Sequence, residues 1–285
     1  ANPDDLSEER IIAFSKTPIN RLSIGVQSFF EDDLKLMNRA HNSVEAKKSL
    51  AIATKYFDNI SVDLIYGIPG LTNEMWKQNI ETALGFGVPH ISSYALTVEP
   101  NTPLKTFIDN EIISPVDDDL AKLHFDILVK TMMANGFENY EFSNFGKPGY
   151  FSQNNTAYWT GKFYLGIGPS AHSFVHTTRS WNINNNPKYI KAIEADKRPY
   201  EQEVLSTTDR YNEYVMTRLR TKWGVDMKYV EKEFGLVYAA YLIEHLQDFQ
   251  QHGLLVLKDD LLQVTGEGKF LSDGIASELF MLNLK

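Results

Sequence analysis

The sequence predicts an α/β protein that ends in a small, separate α+β domain. Two observations carry the first part. Three apolar runs, 21–29 (RLSIGVQSF), 61–72 (SVDLIYGIPGLT) and 89–99 (PHISSYALTVE), each lead into a longer segment. Glycine and proline punctuate the junctions, as Gly67, Pro69 and Gly70 do after the central run, giving the order strand, turn, helix. A third observation sets off the end. Past Ser206 the pattern changes to helices over 207–220, 227–234 and 239–252, a hairpin turning at Lys258–Asp260, and a last helix over 271–280. That order describes a winged-helix-like domain, so the expected division is 1–205 and 206–285.

Each element has a local reason. Residues 5–15 form a short helix whose acidic start suits the helix dipole. Pro18 breaks it, and the first strand follows. Residues 28–42 hold a short helix and a loop presenting Arg39 and His41. Ser43 is expected to cap a helix over 44–56, which carries Ala46, Leu50, Ala53 and Phe57 on about one face. The helix over 73–85 spaces Trp76, Ile80, Ala83 and Leu84 helically and ends at Gly85 and Gly87. After the third strand, Pro100 and Pro103 are expected to stop any direct helix. Residues 117–135 form a strong amphipathic helix, 137–146 an edge strand, and 146–186 a long Gly-, Asn- and aromatic-rich loop region. A helix starts near Pro187 and ends before Pro199.

Composition excludes several classes. The 285 residues are 43% hydrophobic and 23% charged, as in globular chains. A net charge of -9 speaks against broad binding of nucleic acid or anionic membranes. The lysines of the last domain are scattered among acids, so no nucleic-acid partner is expected. There is no cysteine, which removes disulfides and thiolate metal sites from this chain. No transmembrane segment or signal peptide is visible, and the expected location is the cytoplasm.

Candidate site residues cluster at strand ends, where α/β proteins bind ligands. Asp63 interrupts an apolar run, and a buried carboxylate needs a partner. It either pairs locally or faces a ligand. Gln27, beside Gly25, either satisfies buried backbone or recognises a polar group. Arg39 gains a role only if it faces the same strand ends. Gly67, Pro69 and Gly70 shape a turn at least, and so do Gly166, Gly168 and Ser170. His172 and His176 have the spacing of a metal pair only on a helix, and none is expected there. Tyr140, Tyr158, Trp159 and Tyr164 either line a flat pocket or fill the core.

Four motifs, GVQSF (25–29), DLIYGIPGLT (63–72), HISSYALTVEPNT (90–102) and YLGIGPSAHS (164–173), occur in order over nearly the whole chain. Together they resemble the radical S-adenosylmethionine family of oxygen-independent coproporphyrinogen oxidases, and within it the HemW-type haem chaperones. The resemblance implies a partial TIM-like (β/α) barrel of the radical SAM type, N-terminally truncated, followed by a HemN-type C-terminal domain. ANPD resembles the tail of the family's third-strand motif, which places the CxxxCxxC cluster motif before Ala1. The implied cofactors of the full-length protein are S-adenosyl-L-methionine, a [4Fe-4S] cluster and haem. Lacking cysteine, these residues alone are expected to hold none of them securely, to offer no metal site and to run no radical chemistry.

By the same resemblance, Gln27 contacts bound S-adenosylmethionine and Arg39 meets its methionine carboxylate. Asp63 binds the ribose or neighbouring polar atoms, and Ala95 approaches the adenosyl group. One position departs from the family. Asn154 stands where HNxxYW, the proposed haem-binding motif, has histidine, and an amide is a poor axial iron ligand. His41, His172, His176 or a group before Ala1 are the other candidates. The implied function is haem binding and delivery to apo-haemoproteins such as respiratory enzymes. The alternatives are an oxygen-independent coproporphyrinogen III oxidase, which turns two propionates into vinyl groups with loss of CO2, and a cluster-free binding or scaffold protein.

Overall fold

The computed structural model describes residues 1–282, and the chain separates into two compact units, Ala1–Phe151 and Ser152–Lys285. In the first unit, a 3-10 turn over Pro3–Asp5 precedes α1 (Glu8–Ser15), β1 (Leu22–Gln27), α2 (Glu31–Leu36) and α3 (Ser43–Tyr56). Then follow β2 (Ile60–Tyr66), α4 (Asn73–Gly85), β3 (His90–Ala95), α5 (Pro103–Asp109), α6 (Asp118–Ala134), β4 (Glu138–Glu141) and β5 (Asn144–Gly146). The strands form one open sheet in the order β1-β2-β3-β5-β4. β1, β2 and β3 run parallel, as the strand–helix rhythm requires, and the β4–β5 hairpin adds antiparallel to β3.

Alternation along the strands sorts the two faces. Ile24 and Val26, Val62 and Leu64, and Ile91 are fully buried. They meet Leu50 and Ala53 of α3, Trp76 and Ile80 of α4, and Phe125 and Leu128 of α6, which pack on β1 and β2. Each such side chain removed from water contributes about 1.5–3 kcal/mol, so this face holds the unit together. The other face is mostly polar: Ser23 and Gly25, Ser61 and Asp63, His90, Ser92 and Tyr94.

Several expectations need correction here. Asn42, not Ser43, caps α3, in a reciprocal capping box with Glu45, because its amide oxygen reaches the Glu45 N–H at 2.9 Å. Pro103 starts α5 instead of preventing a helix, since the first helical position needs no N–H and Thr102 caps it. Residues 137–146 form a hairpin of two strands rather than a single edge strand.

The second unit contains α7 (Gln153–Trp159), β6 (His172–Val175), β7 (Thr178–Asn182), α8 (Asn186–Glu194), β8 (Tyr200–Val204), α9 (Thr207–Leu219), β9 (Val225–Asp226) and α10 (Met227–Phe234). It ends with α11 (Leu236–His245), α12 (Gln247–Gln251), β10 (Leu255–Lys258), β11 (Leu261–Val264) and α13 (Ser272–Glu278). Thus 146–186 is not one long loop: it carries a helix and the β6–β7 hairpin, to which β8 adds. Gly166 is required there, because a Cβ would sit 2.2 Å from the His172 carbonyl oxygen. From α9 onward, helices surround the small sheet β10-β11-β9 over a core of Tyr211, Val215, Leu242 and Leu262. Asp259 and Asp260, both at positive φ, make the tight turn of this wing. The division expected near 205 falls between β8 and α9, inside the second unit.

Candidate functional site

The polar face of the first sheet gathers most of the expected site residues. Asp63 sits mid-strand on β2, half-buried, opposite Ser92 of β3. Its carboxylate accepts from the Ser23 hydroxyl at 3.1 and 3.3 Å. Burial raises its pKa above the ordinary carboxylate value. The hydrogen bond from Ser23 and the charge of Arg21 oppose that rise without cancelling it. A carboxylate held at such a cost, with hydroxyls around it, is an acceptor poised for a hydroxyl or amine donor.

Gln27 closes β1 at the same end. Its backbone takes φ 69°, where non-glycine residues are uncommon, and the pairing register with β2 shifts between Ile24 and Gln27. The side chain is buried and folds back over Gly25, where a Cβ would lie 2.7 Å from the Gln27 amide nitrogen. Gly25 is therefore the space that lets the amide lie against its own strand. Ala95 ends β3 opposite Tyr66 and is partly exposed.

Arg39 follows α2 on an exposed loop, and its guanidinium has no ion pair or hydrogen bond among the described residues. His41, expected beside it on the loop, is instead buried, with Nε2 3.0 Å from the Val26 carbonyl and Nδ1 3.8 Å from Asp4. It pins the Arg39 loop to the end of β1 and is spent as a structural anchor.

A second layer of this face was missed by residue-by-residue reading. His90 Nδ1 lies 2.7 Å from the Ser61 hydroxyl and Nε2 lies 2.8 Å from the Tyr140 hydroxyl. Ser92 donates to Asn144 at 2.7 Å, and Asn144 in turn holds Glu141. Desolvation, aided by Arg21, lowers the His90 pKa to about 3, so the imidazole is neutral. The signal was present in the alternation of HISSY: His90, Ser92 and Tyr94 share the Asp63 side of the sheet.

The GIPG loop after β2 is built for packing. Gly67, at φ +70°, donates its N–H to His124 Nδ1 at 3.1 Å, and a Cβ there would lie 3.0 Å from that of Ala121. Gly70, at φ +86°, follows Pro69 in a turn closed by Leu71 N–H to the Ile68 carbonyl at 3.0 Å. Tyr140 is buried in the first unit, whereas Tyr158, Trp159 and Tyr164 line a cavity in the second. His172 and His176 lie on and at the end of a strand, and no group of three metal-ligating side chains occurs among the described residues.

Comparison with known proteins agrees with this architecture. Residues 1–83 match the Radical SAM superfamily and residues 205–271 the HemN C-terminal domain. The heme chaperone HemW of Bacillus subtilis is 32% identical over 278 residues, covering 96% of this chain and 73% of that protein. The heme chaperone HemW of Lactococcus lactis is 32% identical over 284 residues, covering 99% and 74%. The solved structure of coproporphyrinogen III oxidase (HemN) from Escherichia coli, a radical SAM enzyme, superposes with a TM-score of 0.79 at 19% identity, over 99% of this chain and 68% of that one. That likeness shows the shared fold: an incomplete barrel sheet followed by the HemN-type domain. With relatives this similar over nearly its full length, the chain belongs to the HemW family of radical SAM proteins.

Proposed function

We propose that this chain is a haem-handling protein of the HemW type, which binds haem and passes it to apo-haemoproteins, with respiratory enzymes of the cytoplasmic membrane as the recipient class and the cytoplasm as its location. The observation that carries this is the alignment with two heme chaperones over 96% and 99% of the chain. Likeness to the Escherichia coli oxidase is one of fold and does not favour decarboxylation. Among the described residues no helix is long and apolar enough to cross a membrane.

The family's cofactors fit these residues unequally. An iron–sulfur cluster held by thiolates does not fit them, because the sequence has no cysteine, and no step is derived through it. S-adenosyl-L-methionine fits the strand-end face. Asp63 with Ser23 and Ser92 offers acceptor and donor groups for a ribose, Gln27 offers a buried amide, and the unpaired Arg39 offers a fork for a carboxylate. Bound there, it would supply a sulfonium that is cleaved by reduction.

The test is a titration of haem into the chain under anaerobic, reducing conditions, followed by mixing with an apo-haemoprotein. The expected result is a saturable shift of the Soret band and transfer of that band to the acceptor. Unsaturable binding, or a Soret band matching free haem, would refute the proposal.

A further inference from the structure

Asn154 offers no imidazole, and histidine is a common haem ligand, so the histidines with a free ring nitrogen are the ligand candidates on this chain. Of the seven histidines, His41, His90, His124, His245 and His252 each hold a ring nitrogen on the chain itself. His172 and His176 alone have no hydrogen-bond partner on either nitrogen among the described residues. They line different cavities. His172 borders one of about 550 Å³ whose lining includes Glu201 and no cation. His176 borders one of about 800 Å³, within the size range of ligand pockets.

The His176 cavity has the chemistry of a porphyrin seat. Tyr158, Phe163, Tyr164 and Phe174 supply aromatic wall, and the imidazole stands edge-on to Phe163 with centroids 4.7 Å apart. Four cations line it against two carboxylates. Arg179 is taken by Glu203 and Glu213, and Arg210 by Glu233. Lys162 and Arg218 have no carboxylate partner among the described residues, and Arg218 only stacks over Tyr214 at 5.4 Å. Two spare cations match the two propionates of a haem. His176 itself occupies the β6–β7 turn at φ 55°, a position that favours glycine or asparagine. Histidine is among the few non-glycine residues tolerated at this φ, so the turn can carry the imidazole.

We propose that this cavity beneath the β6–β7 hairpin is the haem seat, with His176 as the axial iron ligand and Lys162 and Arg218 as the propionate partners. The proposal rests on the haem-handling reading above, and its test separates the two. Ferric haem and metal-free protoporphyrin IX are titrated into the full chain and into His176→Gly, His172→Gly and Lys162→Ala/Arg218→Ala variants. Glycine suits the φ of His176, so that substitution removes the ligand without straining the turn.

His176→Gly is expected to lose the shifted Soret band and to weaken haem binding by at least about tenfold, leaving protoporphyrin unchanged; added imidazole restores the band. His172→Gly is expected to match the parent, and the double variant to weaken both ligands. Haem binding in the parent that His176→Gly leaves intact, or equal weakening of haem and protoporphyrin, would overturn the seat and spare the haem-handling reading. Failure of the parent to bind haem would overturn both.

Discussion

Substituting alanine at Gly67 and, separately, at Gly70 measures whether the GIPG loop exists to pack or to bind. Both glycines have left-handed backbone, at φ +70° and +86°, which costs an L-residue about 1–2 kcal/mol. Gly70 faces open space, so Gly70→Ala should cost that and no more. At Gly67 the new Cβ would also press on Ala121 at 3.0 Å, with Gly67 directly after β2 and Ala121 within α6. Overpacking adds roughly 1 kcal/mol at the low end of its range, for about 2–3 kcal/mol in total. Hydrogen exchange read on the peptide joining β2 to α4 isolates the first unit from the second. Exchange there should speed up about tenfold in Gly70→Ala and by about another tenfold in Gly67→Ala. The Gly67 amide, bonded to His124, is the most direct reporter. Gly67→Ala no more costly than Gly70→Ala would refute the packing argument. Normal exchange with lost ligand binding would assign the loop to recognition.

Three further outcomes follow from the same geometry. His90 binds its proton far more weakly folded, at about 3, than unfolded, at 6.5, so first-unit stability should fall as pH drops from 6.5 toward 3. The slope reaches up to about 1.4 kcal/mol per pH unit, read from urea midpoints, and it should flatten in His90→Gln; an unchanged slope would refute the assignment. Because burial holds the Asp63 pKa above its usual 3.8, ionised Asp63 destabilises the fold, and Asp63→Asn should be more stable at pH 7. That advantage should vanish below the ordinary carboxylate range, and a pH-independent difference would point to packing instead. Gly166→Ala sets a Cβ against backbone at 2.2 Å and should destabilise the β6–β7 hairpin by about 1–3 kcal/mol in thermal unfolding, whereas a neutral result would show that the 164–173 loop can move away.

The parallel βα core was legible because its signals are local: period-two runs, glycine junctions and amphipathic helices. Pro103 and Asn42 were misjudged because a proline or an asparagine serves equally at a helix start, and spacing alone does not say which residue closes the first turn. Asp63 and Gln27 stood out as polar groups in apolar strands. His90 and Ser92 did not, since their meaning depends on which strand lies beside β3, a fact of pairing and not of sequence order. His41 looked like a loop residue for the same reason: the carbonyl that captures it lies 15 residues earlier in the chain, on Val26. The hairpin inside 146–186 escaped because its turn is His176–Thr177 rather than a glycine pair.

The hairpin that ends the first sheet also decides how that sheet can grow. β4 is short, its register shifts between Asn139 and Glu141, and it turns the buried Glu141 carboxylate inward. Each of these discourages another strand from joining an edge. The β1 edge is the opposite. There the Ser23 carbonyl and the Gly25 N–H are held by Ala1 main chain at 2.7 and 3.0 Å, as by a neighbouring strand. The two edges of the sheet thus differ, blunted on the β4 side and already paired by main chain on the β1 side.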